Sequence, residues 1–202
     1  LPKQLESFLL PNAIDLSRFQ KKSERPKDNL LIMIGSLNEL KGQELAIRTI
    51  HELNKRNIDI SLSLAGDGPS AEQLKQLTHM LNLESLVQFI GFIDYPEKAL
   101  QNASIYLHTS HSEAFGLVLI EAMACGLPVV CTDGKGNRDL IQEGENGFMV
   151  WKRDPKLLAD KIQFLLKNEQ EYSRISQNAY NCAQNYGMET YTNLLINRCY
   201  NE

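Results

Sequence analysis

Short apolar runs alternate with stretches of helical spacing along most of this chain. Leu30-Leu-Ile-Met-Ile34 is a compact run closed by Gly35, and its unbroken apolarity predicts a strand buried on both faces. From Gln43 the spacing changes, and Leu45, Ala46, Thr49, Ile50 and Leu53 fall on one face of a helix. A second strand is expected over Ile58 to Ala65, closed by Gly66-Asp67-Gly68-Pro69, and Leu74, Leu77, Met80 and Leu81 then mark a second amphipathic helix. Val87 to Gly91 reads as a third strand. Asp94-Tyr95-Pro96 opens a helix over Glu97 to Asn102, and Ser104 to His108 gives a fourth strand. Phe115 to Ala124 is a strongly apolar helix with Gly126 in its C-cap region. Strands are expected again over Pro128 to Cys131 and Gly147 to Val150, with helices over Leu157 to Leu166 and beyond Ser173.

Strands and helices alternating at this rhythm predict an α/β domain, a doubly wound, Rossmann-like parallel sheet of about six strands with helices on both faces. Ligands in such sheets bind outside the carboxyl ends of the strands. The loops that follow the strands, at residues 35–42, 66–69, 92–95, 109–116 and 132–138, are therefore where chemistry is sought. Asn185-Tyr186-Gly187-Met188 interrupts the helical pattern before it resumes over Glu189 to Cys199. Such a tail either reaches across to another domain or frays as a terminus.

Composition narrows the reading. The 202 residues suit one large domain or two small ones. With 21 Lys and Arg against 25 Asp and Glu, and no basic cluster beyond Lys21-Lys22, a sequence-independent hold on nucleic acid is excluded. No apolar run approaches the roughly 18 residues of a membrane helix. The start at Leu1-Pro2-Lys3-Gln4, without Met or a signal-peptide core, suggests a segment of a longer chain. Cys125, Cys131, Cys182 and Cys199 have no zinc-type spacing and are expected to be free, buried and inert, which fits a reducing cytoplasm.

The most informative segment is Ser112-Glu113-Ala114-Phe115-Gly116-Leu117-Val118-Leu119-Ile120-Glu121-Ala122-Met123-Ala124. It puts one carboxylate outside a helix start and another inside a nearly all-apolar helix. A half-buried Glu121 costs free energy unless it is paired or hydrogen-bonded. A wholly helical segment would separate the carboxylates by about 12 Å. The free N–H groups around Phe115, Gly116 and Leu117 would form an anion site between them, aided by the helix dipole. Taken singly, each Glu is equally well a local cap.

Glu113 and Glu121 form the Glu-x7-Glu pattern of the group 1 (family 4) retaining glycosyltransferases, and Glu121-Ala-Met-Ala-Cys-Gly-Leu-Pro-Val-Val130 resembles their helix-to-strand continuation. Pro11-Asn12-Ala13-Ile14-Asp15 with Phe19, Gly35-Ser36-Leu37 with Lys41-Gly42, Gly66-Asp67-Gly68-Pro69, Val87-x-Phe89-x-Gly91 and Asn146-Gly147-Phe148 fall in the family's order. The resemblance covers nearly the whole chain. It implies the C-terminal, nucleotide-sugar-binding half of a GT-B fold: a single donor-binding domain over residues 1–202, with 1–28 as a lead-in from an absent N-terminal acceptor domain and 186–202 as a helix packing toward that domain.

The resemblance also assigns roles. Lys41 looks like the lysine on the donor diphosphate, and the loop Glu113-Ala114-Phe115-Gly116-Leu117 would hold sugar and phosphate, with Glu113 on the hydroxyls of the transferred sugar. Glu121 would accept from the ribose diol, and Ile93 and Tyr95, with Lys98 one turn on, resemble the segment framing the base. Glu113 and Lys41 are thereby the candidates closest to catalysis. One departure stands out: where many members carry Arg, this chain has Ser36, so that Ser36 gives one neutral hydrogen bond and a cation such as Arg138 substitutes, or phosphate is held less tightly.

A UDP-sugar is the preferred donor, and the expected reaction is retaining transfer of a hexose to a saccharide or lipid-linked acceptor by same-face attack, in the cytoplasm or at the inner face of a membrane. No Asp-x-Asp occurs, so no cofactor and no obligatory divalent metal are expected. Alternatives are a nucleotide-binding module without catalysis, or a sugar-nucleotide epimerase or glycosyl phosphorylase on the same fold. Gly66-Asp-Gly68-Pro-Ser-Ala71 matches the dinucleotide fingerprint, but no acid ends the next strand. His108-Thr-Ser-His111 invites a metal reading, yet strand residues three apart point to opposite faces; His108 is expected in a strand and His111 in a solvated loop. Lys21-Lys22 and Lys152-Arg153 read as solvated turns.

Overall fold

Leu31, Ile32 and Met33 are almost wholly buried, as expected for a strand apolar on both faces, and they form the middle of β1 (Leu30–Ile34). The remaining strands are β2 (Ser61–Ala65), β3 (Val87–Gly91), β4 (Ile105–His108), β5 (Val129–Thr132) and β6 (Gly147–Val150). All pair in parallel in the order β3-β2-β1-β4-β5-β6. The computed structural model describes residue 8, residues 10–22 and residues 24–200.

Alternation along β1 sends Leu31 and Met33 into one core and Ile32 into the other. On the first face α1 (Gln43–Lys55), α2 (Ala71–Met80) and α5 (Pro155–Lys167) bury Ile47, Ile50, Leu74, Leu158 and Ile162. On the second, α3 (Pro96–Asn102) and α4 (Leu117–Ala124) bury Leu100, Leu119, Ile120 and Met123, and α6 (Glu169–Ala183) runs along α4. Each fully buried Leu or Ile contributes about 1.5–3 kcal/mol. Pro155 at the first position of α5 and Asp154, whose carboxylate accepts from Lys156 N at 2.8 Å, fix where that helix begins.

Several boundaries differ from the sequence reading. β2 starts at Ser61 rather than Ile58, because Asn57 turns the chain at φ 54° and Ile58 N donates back to Leu53 O. The helix expected beyond Ser173 already begins at Glu169. More consequentially, α4 begins at Leu117, with Gly116 at φ 82° turning the chain into it, so Glu113 is not helical and the spacing of a continuous helix does not apply to the two carboxylates.

The lead-in joins the domain. Ile14 forms a parallel bridge with Gly187 through Ile14 N to Tyr186 O (2.9 Å) and Met188 N to Ile14 O (3.2 Å), and Ile14 and Phe19 are buried. Of the expected lead-in at residues 1–28, Ile14 and Phe19 pack into this domain, and residues 1–7, 9 and 23 lie outside the described residues. The predicted break is a 3-10 turn, Gln184–Tyr186, followed by α7 (Met188–Tyr200), which leaves Met188, Leu194 and Ile196 exposed. The last two residues of the expected 186–202 helix are outside the described range. No helix among the described residues is long and apolar enough to cross a membrane.

Sequence order reverses between β1 and β4, which lie side by side. Their following loops diverge to opposite faces and open a crevice at the carboxyl edge.

Candidate functional site

The loop after β1 is strapped to the loop after β2: Gly35 N donates to Ala65 O and Leu37 N to Asp67 O, both at 2.9 Å. Gln43 Nε2 holds Ser36 O at 2.8 Å, and Asn38 Oδ1 accepts from Lys41 N at 3.1 Å. Gly42 sits at φ 69° against the end of β4, where an added Cβ would come 2.3 Å from Thr109 O. No side chain fits there, and the packing places Lys41 at the mouth of the crevice.

Glu113 is fixed by the loop after β5. Its N–H donates to Gly134 O (2.8 Å), and its carbonyl accepts from Gly136 N (3.1 Å) in a parallel bridge with Lys135. Gly136 is required by this close approach, since a Cβ would meet Glu113 O at 2.3 Å. Lys41 Nζ donates to Glu113 Oε2 at 2.8 Å, and His108 Nε2 lies 3.5 Å from the same oxygen. His108 and Lys41 together hold the Glu113 carboxyl down to about 2, against the opposing effect of burial. Burial pushes His108 down, toward the neutral ring, and a neutral ring can still donate to Glu113 from Nε2.

Glu121 has the opposite surroundings. It is half-buried in α4, and among the described residues its carboxylate has no hydrogen-bond or ion-pair partner. Burial pushes its pKa up, the Arg18 charge opposes this and the Glu97 charge adds to it. Arg18 itself is held by Glu97 at 2.9 Å. Nearby on the chain, Lys98 Nζ lies 4.8 Å from the centre of the exposed Tyr95 ring, and Ile93 is half-buried.

Between the carboxylates, the N–H groups of Phe115, Gly116 and Leu117 donate to no protein acceptor among the described residues and stand free at the start of α4, where the sequence predicts an anion site. Ala114 is exposed beside them. Phe115 packs edge-on against Tyr186 at 6.0 Å, linking this loop to the turn before α7. Ser36 is exposed next to Lys41's loop. Arg138 is clamped by both oxygens of Asp133 (2.9 and 2.7 Å) and stacks over Trp151, so in this state its charge is already neutralised.

Some residues were misjudged or missed from sequence. Arg153 is no solvated turn: it is half-buried and donates to Ser110 O (3.2 Å) and Thr132 Oγ1 (3.3 Å), bracing the β4 and β5 loops beneath Gly42. Lys21 packs against Gly126 and over the Tyr180 ring, and Lys22 and Lys152 are exposed as expected. Among the described residues Ser110 Oγ and Asn137 Oδ1 are buried without hydrogen-bond partners near Glu113's loop, a feature that no local sequence signal carries. Cys125 and Cys131 are buried with thiols pushed up to about 12, whereas Cys182 is partly buried and Cys199 exposed; all are free. A cleft of about 600 Å³ between α1 and α2 contains Gln43, Arg48, Met80 and His111 but not Lys41, Glu113 or Glu121, so the chemistry and not this hollow locates the site.

The family described as Glycosyl transferases group 1 matches residues 16–182. An N-acetylgalactosaminyltransferase acting on a diphospho-undecaprenol-linked sugar in Campylobacter jejuni is 33% identical over 172 residues, 83% of this chain and 46% of that protein. N-acetyl-alpha-D-glucosaminyl L-malate synthase of Bacillus anthracis is 32% identical over 168 residues, 82% of this chain and 43% of the other. Anabaena HepE, solved with UDP and glucose, superimposes with a TM-score of 0.83 at 25% identity, over 94% of this chain and 56% of that one. The chain thus spans less than half the length of the curated relatives it matches. The doubly wound sheet, its switch-point crevice and the match across residues 16–182 establish that this chain belongs to the group 1 glycosyl transferases.

Proposed function

We propose that this chain is the donor-binding part of a retaining glycosyltransferase of GT-B type, holding a UDP-sugar whose hexose passes to a saccharide or lipid-linked acceptor. The observation that carries the reading is the meeting of Lys41 and Glu113 at the switch point, beside the unbonded N–H groups of Phe115 to Leu117 and the unpartnered Glu121. The complex of HepE with UDP and glucose supports a uridine donor. Departure of a nucleoside diphosphate builds positive charge at the anomeric carbon and negative charge on the leaving phosphate. Lys41 and the N–H groups are pre-aimed donors for the second, and the ionised Glu113 presents acceptors to sugar hydroxyls near the first. Glu121 accepts from the ribose diol, Ile93 and Tyr95 with Lys98 frame the base, and no divalent metal is required.

On this reading the acceptor site and one wall of the cleft come from an N-terminal domain toward which α7 packs, the whole working in the cytoplasm or at the inner membrane face. Positioning both reactants can supply about 7–11 kcal/mol of barrier reduction, which the donor half alone lacks. Residues 1–202 by themselves should bind donor without transferring it efficiently. The test is a melting titration with UDP, GDP, ADP and NAD: a ligand at a hundred times its Kd stabilises by about 2.7 kcal/mol. A shift with UDP supports the reading. A shift with NAD and none with any diphosphate at millimolar concentration overturns it.

A further inference from the structure

His108 is 3% exposed; its Nδ1 has no hydrogen-bond partner among the described residues, and its Nε2 meets only Glu113 Oε2, at a long 3.5 Å. A buried imidazole with one nitrogen unpaired and the other held only at long range calls for an explanation, and a second state in which the contact tightens supplies one. Its Nε2 stands 3.5 Å from Glu113 Oε2, the oxygen that Lys41 Nζ holds at 2.8 Å, so a histidine and a lysine converge on one carboxylate oxygen and only the lysine makes full contact.

The charges acting on His108 come from Glu113, which favours the imidazolium, and Lys41, which opposes it. The other ionisable groups around it are neutral or remote. Tyr106 on the same strand stacks at 6.1 Å, and burial pushes its hydroxyl up. Cys131, opposite on β5, has its thiol pushed up to about 12. Glu121 is the only ionisable side chain of α4, and its charge is not among those acting on His108.

We propose that His108 is a positioning residue for Glu113: when a donor diphosphate draws Lys41 away from Oε2, His108 closes on that oxygen and takes a proton from solvent, keeping the carboxylate ionised and aimed at the sugar. The proposal rests on the donor-site reading above. Removing the Lys41 ammonium from Glu113 withdraws the positive charge that opposes the imidazolium, and the incoming phosphates add negative charge to the crevice. Both changes favour protonation of the ring at Nδ1 and Nε2 together. One N–H bond forms on the ring as one O–H bond of a solvent or buffer acid breaks, and no bond between heavy atoms changes.

Calorimetric titration with UDP near neutral pH, in buffers of different ionisation enthalpy, reads the protons taken up. The wild-type chain should take up protons on binding. His108→Gln keeps a neutral N–H donor but cannot take up the proton, so it should bind UDP without that component. The ratio of wild-type to variant affinity should rise as pH falls from about 8 to about 6, because only the wild type binds a proton together with UDP. UDP's own ionisation contributes equally to both proteins and cancels. Should circular dichroism find His108→Gln unfolded, Glu113→Gln replaces it, and the uptake must then fall because the carboxylate that favours the imidazolium is gone. Normal UDP binding with the same buffer dependence in wild type and variant overturns the role of His108 and leaves the donor site standing. Failure of every nucleoside diphosphate to bind overturns the donor site and the proposal with it. A histidine that only packs would change melting temperature and leave the proton count untouched.

Discussion

Glu113 and Glu121 lie in one segment of chain at the same sheet edge, yet the fold treats them in opposite ways. Glu113 is gripped by Lys41 and neighboured by His108, and its carboxyl is held down to about 2. Glu121 sits in α4 with no partner among the described residues, and burial pushes its pKa up. The first charge is satisfied by the protein and must be released or shared when a ligand arrives. The second is left unsatisfied, and a ribose diol would remove that cost. Strain of this kind at one residue is compatible with a folded domain because the rest of the core stabilises it.

The largest expected effect comes from breaking the satisfied end. Lys41→Ala removes the cation shared by Glu113 and the diphosphate, and UDP affinity should fall about a hundredfold, the upper range for charge-assisted contacts of about 1.5–3 kcal/mol. Uridine should be nearly unaffected and the salt dependence of UDP binding should weaken; equal losses for both ligands would place Lys41 away from the phosphates.

Breaking the unsatisfied end should cost binding and help the fold. Glu121→Ala should weaken UDP roughly ten- to a hundredfold. Glu121→Gln should also weaken it while raising the melting temperature of the ligand-free chain, by about 2–4 °C if about 1 kcal/mol is regained. A variant that binds UDP at full strength would make Glu121 purely structural.

The smallest effect, and the sharpest separation of the pair, is in pH. The raised pKa of Glu121 means that its stabilising contribution is present below its unfolded value near 4.5 and is lost as pH rises through the folded value. The lowered pKa of Glu113 means that its contribution is present above 4.5 and is lost as pH falls toward about 2. The two windows lie on opposite sides of 4.5. In melting curves against pH, Glu121→Gln should flatten the slope above that point and Glu113→Gln the slope below it; a single shared window would refute the contrast.

Much of this was legible in the chain. β1, β3 and β6 and the first residue of α1 fall where the pattern places them, because an apolar run closed by Gly and a 3.6-residue period are local signals. The start of α4 was not, because Phe115 continues the apolar pattern while Gly116 turns at φ 82° to serve Glu113's loop. How the lead-in docks was not legible for a similar reason: Ile14 acquires its bridge to Gly187 only once segments far apart in sequence are folded together.

The sequence by itself determined the rhythm of strands and helices, the pair of carboxylates and the loops on which they lie, since each depends on neighbours a few residues away. Tertiary structure alone decided what each charge touches. Lys41 reaches Glu113 across 72 residues because β1 is flanked by β4. Arg153 is drawn under the β4 loop by Ser110 O, 43 residues away in sequence. Partners of this kind are set by strand order and crossover handedness, and these depend on how the whole chain packs, so no local window of sequence contains them.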